Sequence, residues 1–504
     1  MVAQWGLFIG NRKFSSNFCL QILRCNILNM RFYFVLILVL SNSFTWAASV
    51  QECICSDQLK PLSVNGSAWI TSAESKVLFQ PFSFSFLSNS QRNENPEIIV
   101  DPSQQFQTID GFGNCLTGGS ASLLHRMNPD KRREILNELF AVNGNNIGIS
   151  YLRISIGASD LDDRVFSYDD LAEGESDSEL KKFSIAPDRI DLIPILKEIL
   201  AINPALKILA SPWSPPTWMK TNKSSKGGSL KPEYFDAYAN YFVKYIQAMK
   251  GEGIAIDAIT IQNEPLHPGN NPSMFMPAQE QALFIKRSLG PVFKAQKITS
   301  KIILYDHNAD RPDYPLTILN DPEAAQYVDG SAFHLYGGTI EALTPVHEAH
   351  PDKNLYFTEQ WVGAPGNLAG DLAWHVRTLI IGATRNWCRN VLEWNLASDP
   401  ANNPHTPGGC TECLGAITIN GNEVIRNPAY YVLAHASKFV RPGSVRIGSN
   451  TSNTLPNVAF KTPQGKYVLI VQNNSVIKVD FNISLENKTV AVSLDKGAVG
   501  TYVW

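Results

Sequence analysis

From about residue 110 the chain alternates short apolar runs with amphipathic helical stretches, and this alternation constrains the fold more than any other feature. Runs rich in β-branched and aromatic residues fall at 111–117, 149–157, 207–214, 258–265, 302–308, 332–337, 355–361 and 391–397. Helical periods separate them, for example at 129–140, 192–202, 234–249, 278–289 and 372–384, with Asn128-Pro129 as an N-cap and first-turn proline. Eight strands alternating with helices predict a (β/α)8 TIM barrel spanning residues 106–430. The flanks, 60–105 and 431–504, carry short alternating segments such as Lys466-Tyr467-Val468-Leu469-Ile470-Val471 and no long helical period. They predict a side β-sandwich formed by both chain ends.

The segment before these flanks reads as an address. Arg31 precedes nine apolar residues, Phe32 to Leu40, and then Thr45-Trp46-Ala47-Ala48-Ser49. That core is too short for a membrane span and suits a cleavable signal, so residues 1–48 are expected to comprise an upstream extension, translation starting at Met30, and a signal peptide. Secretion, extracellular or to lysosomes, would permit disulfides among Cys53, Cys55, Cys115, Cys388, Cys410 and Cys413. Cys410-Thr-Glu-Cys413 follows Pro407-Gly408-Gly409 with no second metal half-site, which favours a local disulfide; Cys115 and Cys388 read as buried small hydrophobes. Sequons begin at Asn65, Asn222, Asn450, Asn473, Asn482 and Asn487. A net charge of −3 gives no footprint for nucleic acid.

In such a barrel, function gathers at the C-terminal ends of the strands. Read in order, those ends supply Arg153 on strand two, Trp213 on strand three, Asn263 and Glu264 on strand four, His334 and Tyr336 on strand six, Glu359 and Trp361 on strand seven, and Trp394 and Asn395 on strand eight. Aromatic faces, amides, one arginine and two carboxyls suit a sugar, with its flat ring faces and its many hydroxyls. Two facing carboxyls are the minimum equipment for glycoside hydrolysis, one as nucleophile and one as acid/base. Alternatively, His334 is a satisfied core histidine and Trp213 and Trp394 are packing residues. Arg153 is expected to neutralise Glu359. No cofactor or metal is expected.

Asn263-Glu264-Pro265 on strand four with Glu359 on strand seven resembles a large clan of retaining glycosidases. Residues 210–222, Ala-Ser-Pro-Trp-Ser-Pro-Pro-Thr-Trp-Met-Lys-Thr-Asn, resemble glycoside hydrolase family 30, the glucosylceramidase family. Gly111-Phe112-Gly113, Gly228-Ser229-Leu230, Leu289-Gly290-Pro291, Asp321-Pro322-Glu323-Ala324-Ala325 and His435-Ala436-Ser437-Lys438-Phe439 extend the likeness, in order, to the C-terminus. The resemblance implies Glu264 as acid/base and Glu359 as nucleophile. It also implies Asn263 on the sugar 2-hydroxyl, Arg153 and Tyr336 positioning the nucleophile, and Trp213, His334 and Trp394 lining the glycone pocket.

One departure concerns the substrate. Glucosylceramidases of this family carry an aspartate after the strand-one threonine, whereas here Thr117 is followed by Gly118-Gly119. Residues 116–121, 153–161 and 271–276 look more like the microbial branch that cuts β-1,6-glucans. The expected function is thus a retaining β-glycosidase, glucosylceramidase-like, with a secreted endo-β-1,6-glucanase as the alternative and an inactive sugar-binding homologue as a third. A β-glucoside is the expected partner, with peripheral membrane contact if it is a glycolipid.

Overall fold

The computed structural model describes residues 64–88 and 93–504. The apolar stretch at 32–40 and the cysteines at 53 and 55 lie outside them. Among the described residues no helix is long and apolar enough to cross a membrane.

Each of the eight expected runs contributes a barrel strand. In chain order the barrel strands are Gly111–Cys115, Tyr151–Ser155, Lys207–Ser211, Ala258–Thr260, Lys301–Asn308, Val328–His334, Asn354–Glu359 and Cys388–Asn395. Every neighbouring pair is parallel, and strand eight closes onto strand one through Val391 opposite Phe112. Strands buried on both faces read as continuous apolar runs rather than alternating ones, which is why this sequence shows them so clearly. Tyr151, Leu209, Ala258, Ile303, Ala332, Tyr356 and Leu392, from strands two to eight, pack into one cluster inside the barrel. A larger apolar layer lies between the strands and the surrounding helices. The helix Pro129–Phe140 begins as expected, with the Asn128 side chain accepting from the Asp130 N–H and Pro129 in the first turn.

Both chain ends build the second sheet. The strands Val64–Ser72, Val77–Ser88 and Glu97–Thr108 join six strands between Val445 and Val503 in a closed nine-stranded sheet around its own apolar core. The first of them pairs antiparallel with the last, Val499–Val503. His435 ties the sandwich to the barrel, its ring nitrogens hydrogen-bonded to Thr71 and Thr501 at 2.8 and 2.9 Å.

Two sequons are not offered to solvent. Asn473 is fully buried and its amide donates to the carbonyls of Ile477, Leu494 and Asp495, while Asn482 is buried against Asn93. Asn65, Asn222, Asn450 and Asn487 are exposed.

The rim departs from regular strands where the chemistry lies. Barrel strand four ends at Thr260, short of the expected 265, and Glu264 has a left-handed backbone with φ 45°. On strand five, Tyr305 and Asp306 are both left-handed (φ 73° and 66°) and the pairing steps from Tyr305 to His307, leaving Asp306 as an extra residue. Similar steps leave Thr358 unpaired on strand seven and Trp394 on strand eight. Such bulges re-aim side chains, and they occur here on three strands at one end of the barrel.

Candidate active site

The re-aimed residues meet around one guanidinium. Arg153 is 0% exposed. Its Nη1 donates to Glu359 Oε2 at 2.5 Å, and its Nη2 donates to Asn263 Oδ1 and Asp306 Oδ2, both at 2.7 Å. The ring of Trp213 lies beside it, 4.8 Å from the guanidinium carbon, and Trp213 stacks obliquely on Trp394 at 5.4 Å. Arg153 therefore neutralises Glu359 as expected, and Asp306 as well.

Asp306 is the second centre of the network. Besides Arg153 it accepts from Ser211 at 2.8 Å, Thr260 at 2.7 Å and Thr358 at 2.6 Å. Burial opposes its charge, but Arg153 and His334 outweigh burial and hold the carboxyl well below the usual carboxylate range. His334 bridges Asp306 to the cleft: Nε2 lies 3.1 Å from Asp306 Oδ1 and Nδ1 lies 3.1 Å from Glu264 Oε1. Burial disfavours an imidazolium here, yet Glu359, Asp306 and Glu264 together lift it to about 9. His334 is thus a buried cation beneath the cleft, not part of its lining as the family resemblance implies.

A cleft of about 410 Å³ opens above this network. Trp213, Asn263, Glu264, Tyr336, Glu359, Trp361 and Trp394 line it, so of the expected rim residues Arg153, His334 and Asn395 stand behind the wall, Asn395 accepting from the Ser120 hydroxyl at 2.8 Å. Because Arg153 can only donate, Asn263 must present its oxygen to it, which frees the Asn263 Nδ2 to donate elsewhere. Glu359 receives a second hydrogen bond from the Tyr336 hydroxyl at 2.9 Å. Glu264 is held from behind by its backbone N–H, which donates to Asp306 O at 3.0 Å.

One oxygen of Glu264, one of Glu359 and a nitrogen of His334 lie within 4.8 Å of one another. A metal ion would accept that spacing, but an imidazole protonated up to about 9 has no lone pair to offer one. Burial is the largest influence on both carboxyls and raises both; His334, with His307 and His267, brings Glu264 below the ordinary carboxylate range, while Glu359 is raised above it, the charges of Glu264 and Asp306 adding to burial against His334 and Arg153. So close a pair resists double ionisation. Against those directions, the hydrogen bonds favour the charge on Glu359, which accepts from a guanidinium and a phenol, whereas Glu264 is met by one imidazole.

Sequence reasoning missed several neighbours. Asp306 and His307 stand side by side near the end of the strand-five run, and His307 Nε2 stands 3.9 Å from Glu264 Oε1. Burial pushes His307 down to about 4, so it is neutral. The signal was present: an Asp-His pair ending an apolar run at a rim position. Asp160, Cys410 and Cys413 also line the cleft, the two cysteines joined in the expected local disulfide. Cys115 and Cys388 are free and buried, as expected.

With this geometry in hand, comparison with known proteins identifies the lineage. The Glycosyl hydrolase family 30 TIM-barrel domain matches residues 109–440, and the Glycosyl hydrolase family 30 beta sandwich domain matches residues 443–502. The chain belongs to glycosyl hydrolase family 30. It is a glycosidase. Among the family's members, the Aspergillus fumigatus endo-1,6-beta-D-glucanase neg1 is 35% identical over 394 residues, covering 73% of this chain and 78% of the relative. A solved endo-beta1,6-glucanase is 36% identical with a TM-score of 0.80, covering 88% of this chain and 99% of its own. The Caenorhabditis elegans putative glucosylceramidase 4 is 30% identical over 415 residues, covering 77% of this chain and 79% of the relative.

Proposed function

We propose that this family 30 member is an exported, retaining endo-β-1,6-glucanase in which Glu359 is the nucleophile and Glu264 the acid/base. The observation that carries the mechanism is the separation of the carboxyls, with oxygens within 4.8 Å. Retaining glycosidases place the two groups about 5–5.5 Å apart, and inverting enzymes need about 6.5–9.5 Å to admit a water between them.

In the first step the Glu359 carboxylate attacks the anomeric carbon while Glu264 gives its proton to the departing glycosidic oxygen. Arg153 and Tyr336 keep Glu359 ionised and oriented until the ester forms. In the second step Glu264, now a carboxylate, takes a proton from water, which attacks the same carbon and releases Glu359. Glu264 changes charge twice per cycle, and His334, anchored on Asp306, stands against it throughout. The free Asn263 Nδ2 is the donor for the sugar 2-hydroxyl. Trp213, Trp361 and Trp394 offer faces to the ring.

The glucan is favoured over glucosylceramide because the endo-1,6-glucanase relatives are the more similar and because Gly118 lacks the carboxylate expected of a glucosylceramidase. Export rests on the apolar segment at 32–40, the exposed sequons and the Cys410–Cys413 disulfide. Hydrolysis of glucosylceramide is the second reading, supported by the 30% identity to the nematode protein. A product profile separates them: linear β-1,6-glucan is expected to yield short oligosaccharides, and glucosylceramide no ceramide. Glucose and ceramide from the lipid, with the glucan untouched, would reverse the substrate assignment.

A further inference from the structure

A groove outside the catalytic cleft follows the barrel helix Pro129–Phe140. Two cavities, of about 180 and 420 Å³, meet at Glu138 and Arg426. The smaller lies by Met127 and Lys131, where the helix begins, and the larger reaches Asn145, just past its end. Twelve residues of helix make this track about 18 Å long. The chain leaves strand one at the catalytic rim and enters strand two at the opposite end, so the groove runs down the outside of the barrel. None of the residues that line it also lines the cleft.

The wall facing the helix is aromatic and held in place from behind. Trp69, on the first strand of the sandwich, packs on Phe79 at 4.8 Å and has the Lys438 ammonium 4.8 Å from its ring centre. Tyr430 and Tyr431 meet edge to face at 5.2 Å on the helix Pro428–Ser437. The first two sandwich strands pair Ile70 with Gln80 and then step to Ser72 with Val77. Within that step Phe79 has a left-handed backbone, φ 51°, a costly conformation for a bulky side chain. It seats Phe79 against Trp69 and leaves Leu78, 40% exposed, on the open side of the groove.

The charges in the groove balance, two of each sign, and pair with one another. Arg426 Nε donates to Glu138 Oε1 at 2.6 Å, the Tyr430 hydroxyl donates to the same oxygen at 2.7 Å, and Lys131 pairs with Glu134 at 2.9 Å. An anionic or cationic ligand therefore has no spare countercharge to meet there. What the groove offers is aromatic and apolar surface beside the amide of Asn145 and a fixed ion pair, which suits a neutral chain rich in hydroxyls. Its length suits a polymer. We propose that this groove is a second glucan-binding site, holding one stretch of the polysaccharide on the outside of the barrel while another is cut in the cleft. The inference rests on the polysaccharide reading of the substrate.

The test keeps the cleft occupied. Wild type and the double variant Leu78→Ser/Asn145→Ala, each carrying a trapped 2-deoxy-2-fluoroglucosyl group, are run through native gels containing linear β-1,6-glucan. Both substituted residues are exposed, so the variant should unfold at the wild-type denaturant concentration. Labelled wild type should be retarded, and the labelled variant should need about 10-fold more glucan for the same retardation. An unretarded labelled wild type that, unlabelled, still cuts the glucan overturns this proposal alone. So does a variant retarded as strongly as wild type, or a wild type retarded more by an equal concentration of an anionic polysaccharide. A wild type that forms dimers the variant cannot form, with neither retarded by glucan, overturns it in favour of a second copy of the chain. A protein that neither cuts the glucan nor is retarded by it overturns the polysaccharide reading together with this proposal.

Discussion

Glu359→Gly is expected to lower turnover on the order of 10⁵-fold, because it removes the atom that forms the new bond and not merely a contact to the substrate. The cavity left behind admits a small anion. With an activated aryl β-glucoside, azide should therefore restore turnover by attacking the face that Glu359 occupies, giving the α-glucosyl azide. Glu264→Gly should behave differently. Its first step survives with a good leaving group, the glycosyl-enzyme accumulates, and azide attacks the opposite face to give the β-glucosyl azide. The anomeric configuration of each product, read by proton NMR, assigns both roles. A β-azide from the Glu359 variant would exchange them.

Arg153→Met has the second largest expected effect, and it reaches stability as well as activity. The side chains of Arg153 and Asp306 are both 0% exposed and that of Glu359 is 8% exposed, so the substitution strands two buried carboxylates without their cation. Breaking a buried pair from one side costs about 3–5 kcal/mol, read here as the shift in chemical unfolding. Activity should fall at least about 10²-fold, since Glu359, Asn263 and Asp306 all take their orientation from the one guanidinium. The double variant Arg153→Met/Asp306→Asn should recover part of the stability and none of the activity. Recovery of both would mean that Arg153 serves only to neutralise Asp306.

Much of the architecture was legible because each element announced itself locally. The buried parallel strands are apolar runs, the helices between them carry caps such as Asn128, and the rim residues on strands two, three, four, six, seven and eight follow from where those runs end. What was hidden is the local twist of the rim. A strand period places every second side chain inward, but the bulges at Asp306, Thr358 and Trp394 insert an extra residue and reset that count. Asp306 was passed over on strand five for this reason, although it holds both Arg153 and His334. His334 reads from sequence as either a pocket or a core residue; it is buried and bonded to carboxyls on both sides. Asp160 belongs to the stretch 153–161 whose resemblance is visible in the sequence, but its place in the cleft depends on the loop around Cys410, whose N–H donates to it. The missing side chain at 118 was visible in the sequence, whereas Asp162, which a Cβ there would meet at 1.7 Å, was not.

The central claim, that Glu359 attacks and Glu264 manages the proton, is tested most directly by trapping. A 2-deoxy-2-fluoro-β-glucoside with a strong leaving group slows both steps, the second more, so that the glycosyl-enzyme accumulates and can be digested and mapped by mass spectrometry. The account predicts stoichiometric labelling of the peptide containing Tyr356–Trp361, with the sugar on Glu359. A label on Glu264, or on any other residue in a protein that turns over β-glucosides, would contradict it.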